Sequence, residues 1–492
     1  MKCLPLFAVV VLLGCPAPDV DLGDFAGFED AGADFGIAPE LAHGVCVADI
    51  DGQLGPDLYF ARRGPDRLYL NQGDGTFLEA GAFEDRDSQG CGYADFDRDG
   101  DPDLIVTTQY DATRYLRNDD GVLTDATDEV GLGDTFNQRS VLVDDIDRDG
   151  WADVALTTTQ GEQAGLFRNR GDGTFEDRTP DSPLFPMRRS WGGAFLDYDG
   201  DDLPDLFLAK DVSPEVDQML HNEGNFVFRD ATAEAGLSNV NHAMGIAIGD
   251  LDTDGLADFF VTNWGHHVMW RNEGGTFLDV ANAWGVGTGG GASGWGTFFL
   301  DADHDGDEDL FVANGSGFLA GDPDTPVRPT NETNRFFVQG SEDGHPMFGE
   351  AGVAVGLDND DSALGAAWGD LDGDGWLDIV VANTLGESSR VFRNRGLASS
   401  EGPAPLRLRL VGTMSSPGAF GAHVTVEACG AKQARIRSQG ASVLSAGSDI
   451  LHFGFGDCAD EVLVTVRWPT GETAEQTLPA PQWGDDLVVV TE

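Results

Sequence analysis

Lysine is nearly absent from this chain: Lys2, Lys210 and Lys432 are the only three in 492 residues. Basic residues total 29 against 86 acidic ones, and the net charge is −57. A surface so short of cations repels the phosphates of nucleic acid and of anionic lipid, so neither is an expected partner. No GxSxG, HExxH or Walker-type sequence occurs, which removes the signatures of three large enzyme classes. Gly289-x-Gly291-x-x-Gly294 has dinucleotide-fingerprint spacing, but it opens onto WGTFFLD, a strand pattern and not a helix. Long helical patterns are few. The apolar run inside residues 1–15 is too short to span a bilayer.

What the chain has in excess is Asp, written seven times as a nine-residue loop followed by an apolar run. Five copies are complete, with Asp at positions 1, 3, 5 and 9: Asp95/Asp97/Asp99/Asp103, Asp145/Asp147/Asp149/Asp153, Asp250/Asp252/Asp254/Asp258, Asp301/Asp303/Asp305/Asp309 and Asp370/Asp372/Asp374/Asp378. Two are looser: Asp49/Asp51/Asp57, with Gln53 at position 5, and Asp197/Asp199/Asp201/Asp205, with Gly200 and Asp202 at positions 4 and 6. Carboxylates at alternate positions suit a hard cation. Ca²⁺ takes about 6–8 oxygen ligands in tolerant geometry, whereas Mg²⁺ demands a near-ideal octahedron. The ligand positions carry neither His nor Cys, which argues against Zn²⁺. Without a cation, carboxylates crowded on one turn repel one another. All four Asp positions of a complete loop are expected to serve as ligands.

Position 12 separates these loops from EF-hands, which need a Glu there. Here it is Phe60, Val106, Leu156, Leu208, Val261, Val312 and Val381. The segments that follow, such as DLIVTT and DFFVTN, read as strands. The loops start at residues 49, 95, 145, 197, 250, 301 and 370, a period near fifty. Each period also holds an LFRN-like strand, a Gly-rich turn and an FxD or FxE segment. Four strands per repeat describe a propeller blade. Phe28-Glu29-Asp30 precedes the first loop, and VFRNRG (391–396) lacks an FxD after it. The N-terminal segment can therefore complete the last blade and remove open edges. The expectation is an all-β chain: a seven-bladed β-propeller over 25–396, a linker at 397–405, and a small β domain at 406–492. The long sixth period places a surface excursion at 316–334.

The N-terminus, MKCLPLFAVVVLLGC, reads as a secretory signal over residues 1–15. Its LLGC ending resembles the bacterial lipobox, which makes Cys15 the lipidated first residue and 16–24 a short tether. Membrane contact is then through the anchor only, with the body at the outer membrane or cell surface. Export permits disulfides. Cys46 and Cys91 hold nearly equivalent places in adjacent repeats, and Cys429 and Cys458 share the C-terminal segment. These are the expected pairs.

The DxDxDGxxD loops with their strands resemble FG-GAP/VCBS-type repeats. LRLRLVG, FGAHVTV, LHFGFG and VRWPTGE between 406 and 472 resemble the ASPIC/UnbV domain. The combination is similar to bacterial relatives of cartilage acidic protein. The resemblance implies an extracellular calcium-binding propeller for recognition or adhesion, with a protein or glycan ligand, and no enzymatic activity. Two alternatives stay open: a calcium-dependent polysaccharide lyase or hydrolase on a propeller, and a purely structural envelope protein. Trp191, Trp295 and Trp368 are expected between blades. His266-His267 and Arg188-Arg189 are expected at the surface, and His242-Ala243-Met244 near the channel.

Overall fold

A computed structural model describes residues 22–492 except 39, 54, 133–134, 136, 160–163, 180–188, 212–215, 239–241, 316–331, 343, 385–387, 399–403, 440–441, 457, 459 and 481–486. The signal segment, Cys15, Arg188, most of the expected linker and all but the last three residues of the expected excursion lie outside the described residues. Among the described residues no helix is long and apolar enough to cross a membrane.

The repeats fold as successive four-stranded antiparallel units, strands running outward in chain order. Unit one is Gly44–Ala48, Asp57–Ala61, Pro65–Asn71 and Phe77–Asp85; unit two is Ser88–Ala94, Asp103–Thr108, Arg114–Asp119 and Val122–Asp125. Unit three is Gln138–Asp144, Asp153–Thr158, Gly165–Asn169 and Phe175–Asp177; unit four is Ser190–Leu196, Asp205–Lys210, Gln218–Asn222 and Phe228–Asp230. Unit five is Ala243–Gly249, Asp258–His266, Val268–Asn272 and Phe277–Asp279; unit six is Thr288–Leu300, Asp309–Asn314, Arg335–Glu342 and His345–Glu350. The last unit holds Ala363–Gly369, Asp378–Asn383 and Arg390–Asn394, and its fourth strand is Phe28–Asp30 from the N-terminus, with Phe28 opposite Asn394. Each innermost strand neighbours that of the next unit, and Gly44–Ala48 neighbours Ala363–Gly369, so the units form a closed, propeller-like cycle. Units five and six share one continuous sheet, because Trp264 and His266 pair with Ser293 and Thr288.

Strands such as Asp103–Thr108 are buried at every residue, because both sheet faces are covered by neighbouring units. The interleaving is visible in Phe207 of unit four against Phe259 of unit five (4.6 Å) and Phe298 of unit six against Trp368 of unit seven (4.6 Å). The expected tether ends earlier than its sequence suggests. Leu22 packs on the core of units six and seven, Phe25 bridges Leu397, and Ala398 donates to Asp24. The body therefore begins by residue 22 and keeps its pairing through 398.

The C-terminal residues form two packed sheets around their own core. One orders Leu451–Phe453, Leu406–Val411 and Val488–Thr491. The other orders Ala431–Ile436, His423–Ala428, Val462–Arg467 and Thr473–Leu478. This domain is not a separate body on a string. Gln439 and Ser442–Ser448 enter the axis of the ring. Ser442 pairs with Ile246, Ala446 with Cys46 and Val45, and Leu444 accepts from the Cys91 amide. Val443 and Leu444 are buried among Trp191, Met244, Trp295 and Leu364. Trp191 and Trp295, in edge contact at 5.0 Å, thus hold this plug and do not pack between blades; Trp368 does. A Cβ at Gly44, Gly90 or Gly365 would collide with Leu444 or Ser445, so these glycines admit the plug. Cys46 is bonded to Cys91 beside it, and Cys429 to Cys458 in the C-terminal domain.

Leu444→Ala leaves a cavity that the closed ring cannot collapse around. It is expected to lower the unfolding free energy by about 2–5 kcal/mol, read as a shifted urea midpoint. An unshifted midpoint would mean the plug does not contribute to stability.

Candidate metal centres

Each Asp-rich loop joins the first and second strands of a unit, so the cycle gathers all of them on one face. The turn needs left-handed backbone at positions 4 and 6: Arg98 and Gly100, Arg148 and Gly150, Thr253 and Gly255, His304 and Gly306, Gly373 and Gly375. The fourth loop keeps the same path with Gly200 and with Asp202 at φ 67°. Departure from the consensus sequence there has not changed the fold of the loop.

Position 9 is the closing clamp. Asp57 is fully buried; its Oδ2 accepts the Ile50 amide (2.8 Å) and its Oδ1 the Asn71 amide (2.8 Å). Asp153, Asp205, Asp258 and Asp378 repeat the arrangement with Ile146/Asn169, Tyr198/Asn222, Leu251/Asn272 and Leu371/Asn394. In unit two the Tyr115 hydroxyl donates to Asp103 Oδ2 at 2.6 Å. In unit six Gln339 stands in the Asn place and donates its backbone N–H to Asp309.

Position 5 corrects the expectation that all four Asp positions serve alike. Asp254 is exposed, and its Oδ1 accepts the Leu256 amide at 2.9 Å. Its own amide donates to Asp250 Oδ1 at 3.0 Å. The carboxylate of Asp254 is therefore a turn-former at the solvent edge of the fifth loop, not a member of the buried donor set, and only its second oxygen is left to face a cation. The cause is the backbone: Thr253 and Gly255 on either side are both left-handed, so residue 254 stands at the outer tip of the turn. Asp99, Asp149, Asp305 and Asp374 are exposed in the same way, and each accepts the amide two residues on, from Asp101, Trp151, Asp307 and Trp376.

The Asn of the LFRN-like strands has a role that the sequence reading missed. Its side-chain amide reaches back to the position-2 carbonyl of the preceding loop: Asn118 to Ile50, Asn169 to Phe96, Asn222 to Ile146, Asn272 to Tyr198, Asn394 to Ala302, and Asn71 to Leu371 across the closure. Its Oδ1 accepts from the following Gly turn, as Asn169 does from Gly171 at 2.9 Å. The signal was present as an Asn repeated in six periods. Adjacent loops also touch directly: Arg98 lies over the Trp151 ring (4.8 Å), and His304 stacks on Trp376 (3.8 Å).

Ligand atoms of Asp49/Asp51/Asp57, Asp95/Asp97/Asp99, Asp145/Asp147/Asp153 and Asp197/Asp199/Asp205 lie within 4.8 Å of one another in each set, close enough to hold a metal ion. The fit can be tested on the donors themselves. Asp49, Asp95, Asp147, Asp252, Asp301 and Asp370 each bury an Oδ1 that accepts no hydrogen bond. Such an atom is costly unless a cation meets it. Burial raises Asp57, Asp103 and Asp145 to about 7 and pushes Asp153, Asp258, Asp309 and Asp378 well up, with neighbouring loop carboxylates adding to the rise. A dication reverses that penalty.

The C-terminal domain supplies cations to the same face. In Leu406–Val411 the alternation sends the leucines into the domain core and Arg407 and Arg409 toward the loops. Arg407 meets Asp370 (3.4 Å), Arg409 meets Asp49 (3.6 Å) and Asp449 (3.0 Å), and His423 meets Asp250 (2.9 Å). Arg435 lies between Glu308 (3.2 Å) and Asp301 (3.7 Å), and the Gly454 amide donates to Asp301 (2.8 Å). Asp49, Asp301 and Asp370 thus carry two duties: Oδ2 docks the domain, and the buried Oδ1 is left for a cation. In the fifth loop Asp250 docks through Oδ2 but spends Oδ1 on the Asp254 amide, and the orphan oxygen passes to Asp252.

The other singled-out residues fall elsewhere. His267 is buried against Phe260, its pKa lowered by burial to about 3, so it is a neutral packing group and not a surface one. His266 and Arg189 are exposed. His242 Nδ1 lies 2.7 Å from Asp211, which also accepts from the Trp191 indole. Gly289 to Gly294 lie inside strand Thr288–Leu300, with no helix to follow.

Asn169→Ala strands the Phe96 and Ala152 carbonyls and is expected to cost about 2–4 kcal/mol, read by denaturant unfolding; a loss under about 0.5 kcal/mol, the scale of an ordinary surface change, would refute the stitch. For the metal-free protein, raised carboxylates mean that the folded state binds more protons than the unfolded one between pH 3.8 and about 7. Stability should therefore fall as pH rises through that window. Melting temperatures in chelator, measured from about pH 5 to 8, check the sign.

Residues 49–106, 95–156, 145–208, 197–261 and 250–312 match the FG-GAP-like repeat family, and 412–491 match ASPIC and UnbV. Cartilage acidic protein 1 of Mus musculus is 26% identical over 514 residues, covering 92% of this chain and 74% of that protein. The Homo sapiens protein is also 26% identical, with 92% and 72% covered. Among solved structures, an Agrocybe aegerita lectin specific for non-reducing terminal N-acetylglucosamine aligns at TM-score 0.39 and 19% identity, covering 67% of this chain and 83% of that one. With repeats matched across 49–312, over half its length, the chain belongs to the FG-GAP-like repeat family and ends in an ASPIC/UnbV domain.

Proposed function

We propose that this protein is an exported, calcium-loaded recognition module that presents a rigid surface to a protein or glycan ligand. The observation that carries the reading is the buried, hydrogen-bond-free carboxylate oxygen repeated in six loops. Oxygen-only donor sets of this kind suit Ca²⁺, and Ca²⁺ is plentiful outside the cell, where the disulfides also belong. The filled axis supports recognition at outer surfaces. One such surface is a cleft of about 340 Å³ between the first two loops and the C-terminal domain, lined by Asp49, Asp95, Arg409, Phe420 and Arg437 among others. With cations in both loops its charge would favour a carboxylate-bearing ligand. Lipid anchoring through Cys15 completes the proposal.

A polysaccharide-active enzyme is the second reading. It is favoured by the His242–Asp211 pair beside Trp264, where the imidazole could act as a base next to a ring on which a sugar could stack.

Calcium at about a hundred times its dissociation constant stabilises the folded state by about 2.7 kcal/mol per site. Chelation should therefore lower the melting temperature, and Asp252→Asn should remove one equivalent of calcium. Asp252 is a cleaner choice than Asp301, which also docks the C-terminal domain, and than Asp254, which is exposed. An unchanged melting temperature in chelator would remove structural calcium. A glycan array with calcium, run beside an assay for unsaturated or cleaved sugars, separates the readings: capture without cleavage supports recognition, and cleavage lost in His242→Ala supports the enzyme.

A further inference from the structure

The fourth loop breaks the pattern of the orphan oxygen. Among the described residues its carboxylates bury no hydrogen-bond-free oxygen; the buried polar atom without a hydrogen bond there is Nδ1 of His221. His221 is not in the loop. It lies on the third strand of the unit, in MLHN, where units two, three, five and seven place Arg117, Arg168, Arg271 and Arg393. The arginine acts as a resident cation: Arg168 Nε is 2.6 Å from Asp147, and Arg393 Nε is 3.0 Å from Asp372. A guanidinium stays protonated and cannot ligate a metal. An imidazole at the same place can, because its neutral form carries a lone pair.

The geometry brings that nitrogen to the acids. His221 Nδ1 is 3.1 Å from Asp205 Oδ1 and 3.3 Å from Asp199 Oδ2, and Nε2 is 4.0 Å from Asp201 Oδ2. Ligand atoms of Asp199, Asp201 and His221 lie within 4.8 Å of one another. Tyr198 meets the imidazole edge-on at 6.2 Å and holds the ring plane. Asp202, the unusual residue at position 6, is turned to Arg467 of the C-terminal domain and is not needed as a donor. One nitrogen and three carboxylates are a donor set for borderline divalent ions of the first transition row. Calcium prefers more oxygens and gains little from nitrogen.

We propose that the fourth loop, with His221 as the nitrogen ligand beside Asp199, Asp201 and Asp205, is a separate site for a divalent transition-metal ion of the zinc or manganese type. The sequence argument against zinc, that no His stands at a ligand position, fails here because the third strand supplies the His. The site does not rest on calcium filling the other loops, and its failure would leave that reading intact.

The test uses the metal-stripped full chain in excess Ca²⁺, titrated with Co²⁺. One equivalent should bind, with visible d–d absorption characteristic of nitrogen and oxygen ligation, and Zn²⁺ should displace it. His221→Arg installs the residue that unit three carries and should weaken Co²⁺ binding by about tenfold or more, the loss that even a supporting partner's removal produces. Calcium uptake by the other loops should not change. Asp201→Asn, at an exposed position, should show the same loss and stands in if His221→Arg does not fold. No Co²⁺ uptake by the unmodified chain in excess Ca²⁺, or uptake that survives in the folded variant, overturns the proposal.

Discussion

The structure depends on a carboxylate that has no exposure to water. A buried Asp must be met by donors, and in this fold the donors set the architecture. At position 9 one oxygen closes its own loop, and the other receives the backbone of an Asn whose side chain reaches the preceding loop. Asp153, Asn169 and the Phe96 carbonyl show the chain of contacts in unit three. Each unit is therefore fastened to its predecessor by polar contacts at the rim and by apolar contacts in the shared core. Position along the ring is specified at both levels, and Asn71 reaching Leu371 carries the same fastening across the point where the chain closes.

The crowded acids are then balanced by several kinds of partner. Backbone amides of the loops take the near oxygens, as Asp145 does from Asp149 and Gly150. Arginines from the third strand take some of the outer ones, and Arg and His from the C-terminal domain take Oδ2 at position 1. What is left over is one buried donor atom in each of seven loops, an oxygen in six and a nitrogen in the fourth. The near absence of lysine fits this scheme. A planar, permanently charged guanidinium can lie flat against an aromatic ring and still meet a carboxylate, as Arg98 and Arg435 do, whereas an ammonium offers only a point charge.

Local and repeated chemistry was the part legible in the sequence. The Asp loops, the strands after them, and the out-of-phase Phe28-Glu29-Asp30 that pairs with Arg390–Asn394 could all be read from spacing. Spacing could not rank the acids within a loop: Asp252 and Asp254 look alike in the motif, yet one buries an oxygen and the other sits at the tip of the turn. The matching Asn was visible but unexplained, because its partner lies in another repeat. His221 was passed over because a donor about twenty residues from its loop leaves no motif. The plug was illegible for a different reason. Residues 439–448 have no period, and their apolar pair, Val443-Leu444, gains meaning only from Trp191 and Trp295, far away in the chain. Those tryptophans were assigned to blade packing because nothing local says that the axis is filled.

The plug changes what kind of object the protein is. An axis lined by Trp191, Met244, Trp295 and Leu364 would be a dry apolar void if left open, and voids of that kind are costly. Filling it with a segment of the C-terminal domain makes that domain part of the ring's core. Docking also uses one oxygen of Asp49, Asp250, Asp301 and Asp370, residues whose loops are built to hold cations. Cation loading and domain docking therefore act on the same loop acids. A bound dication relieves the repulsion among them, and it also weakens their pull on Arg407, Arg409, His423 or Arg435. The hydrogen bond from Gly454 to Asp301 and the plug itself do not depend on that charge in the same way. The domain can thus stay seated while its ionic contacts soften, and the loop face, including the cleft beside Arg409, is the part of the molecule whose charge responds most to the metal.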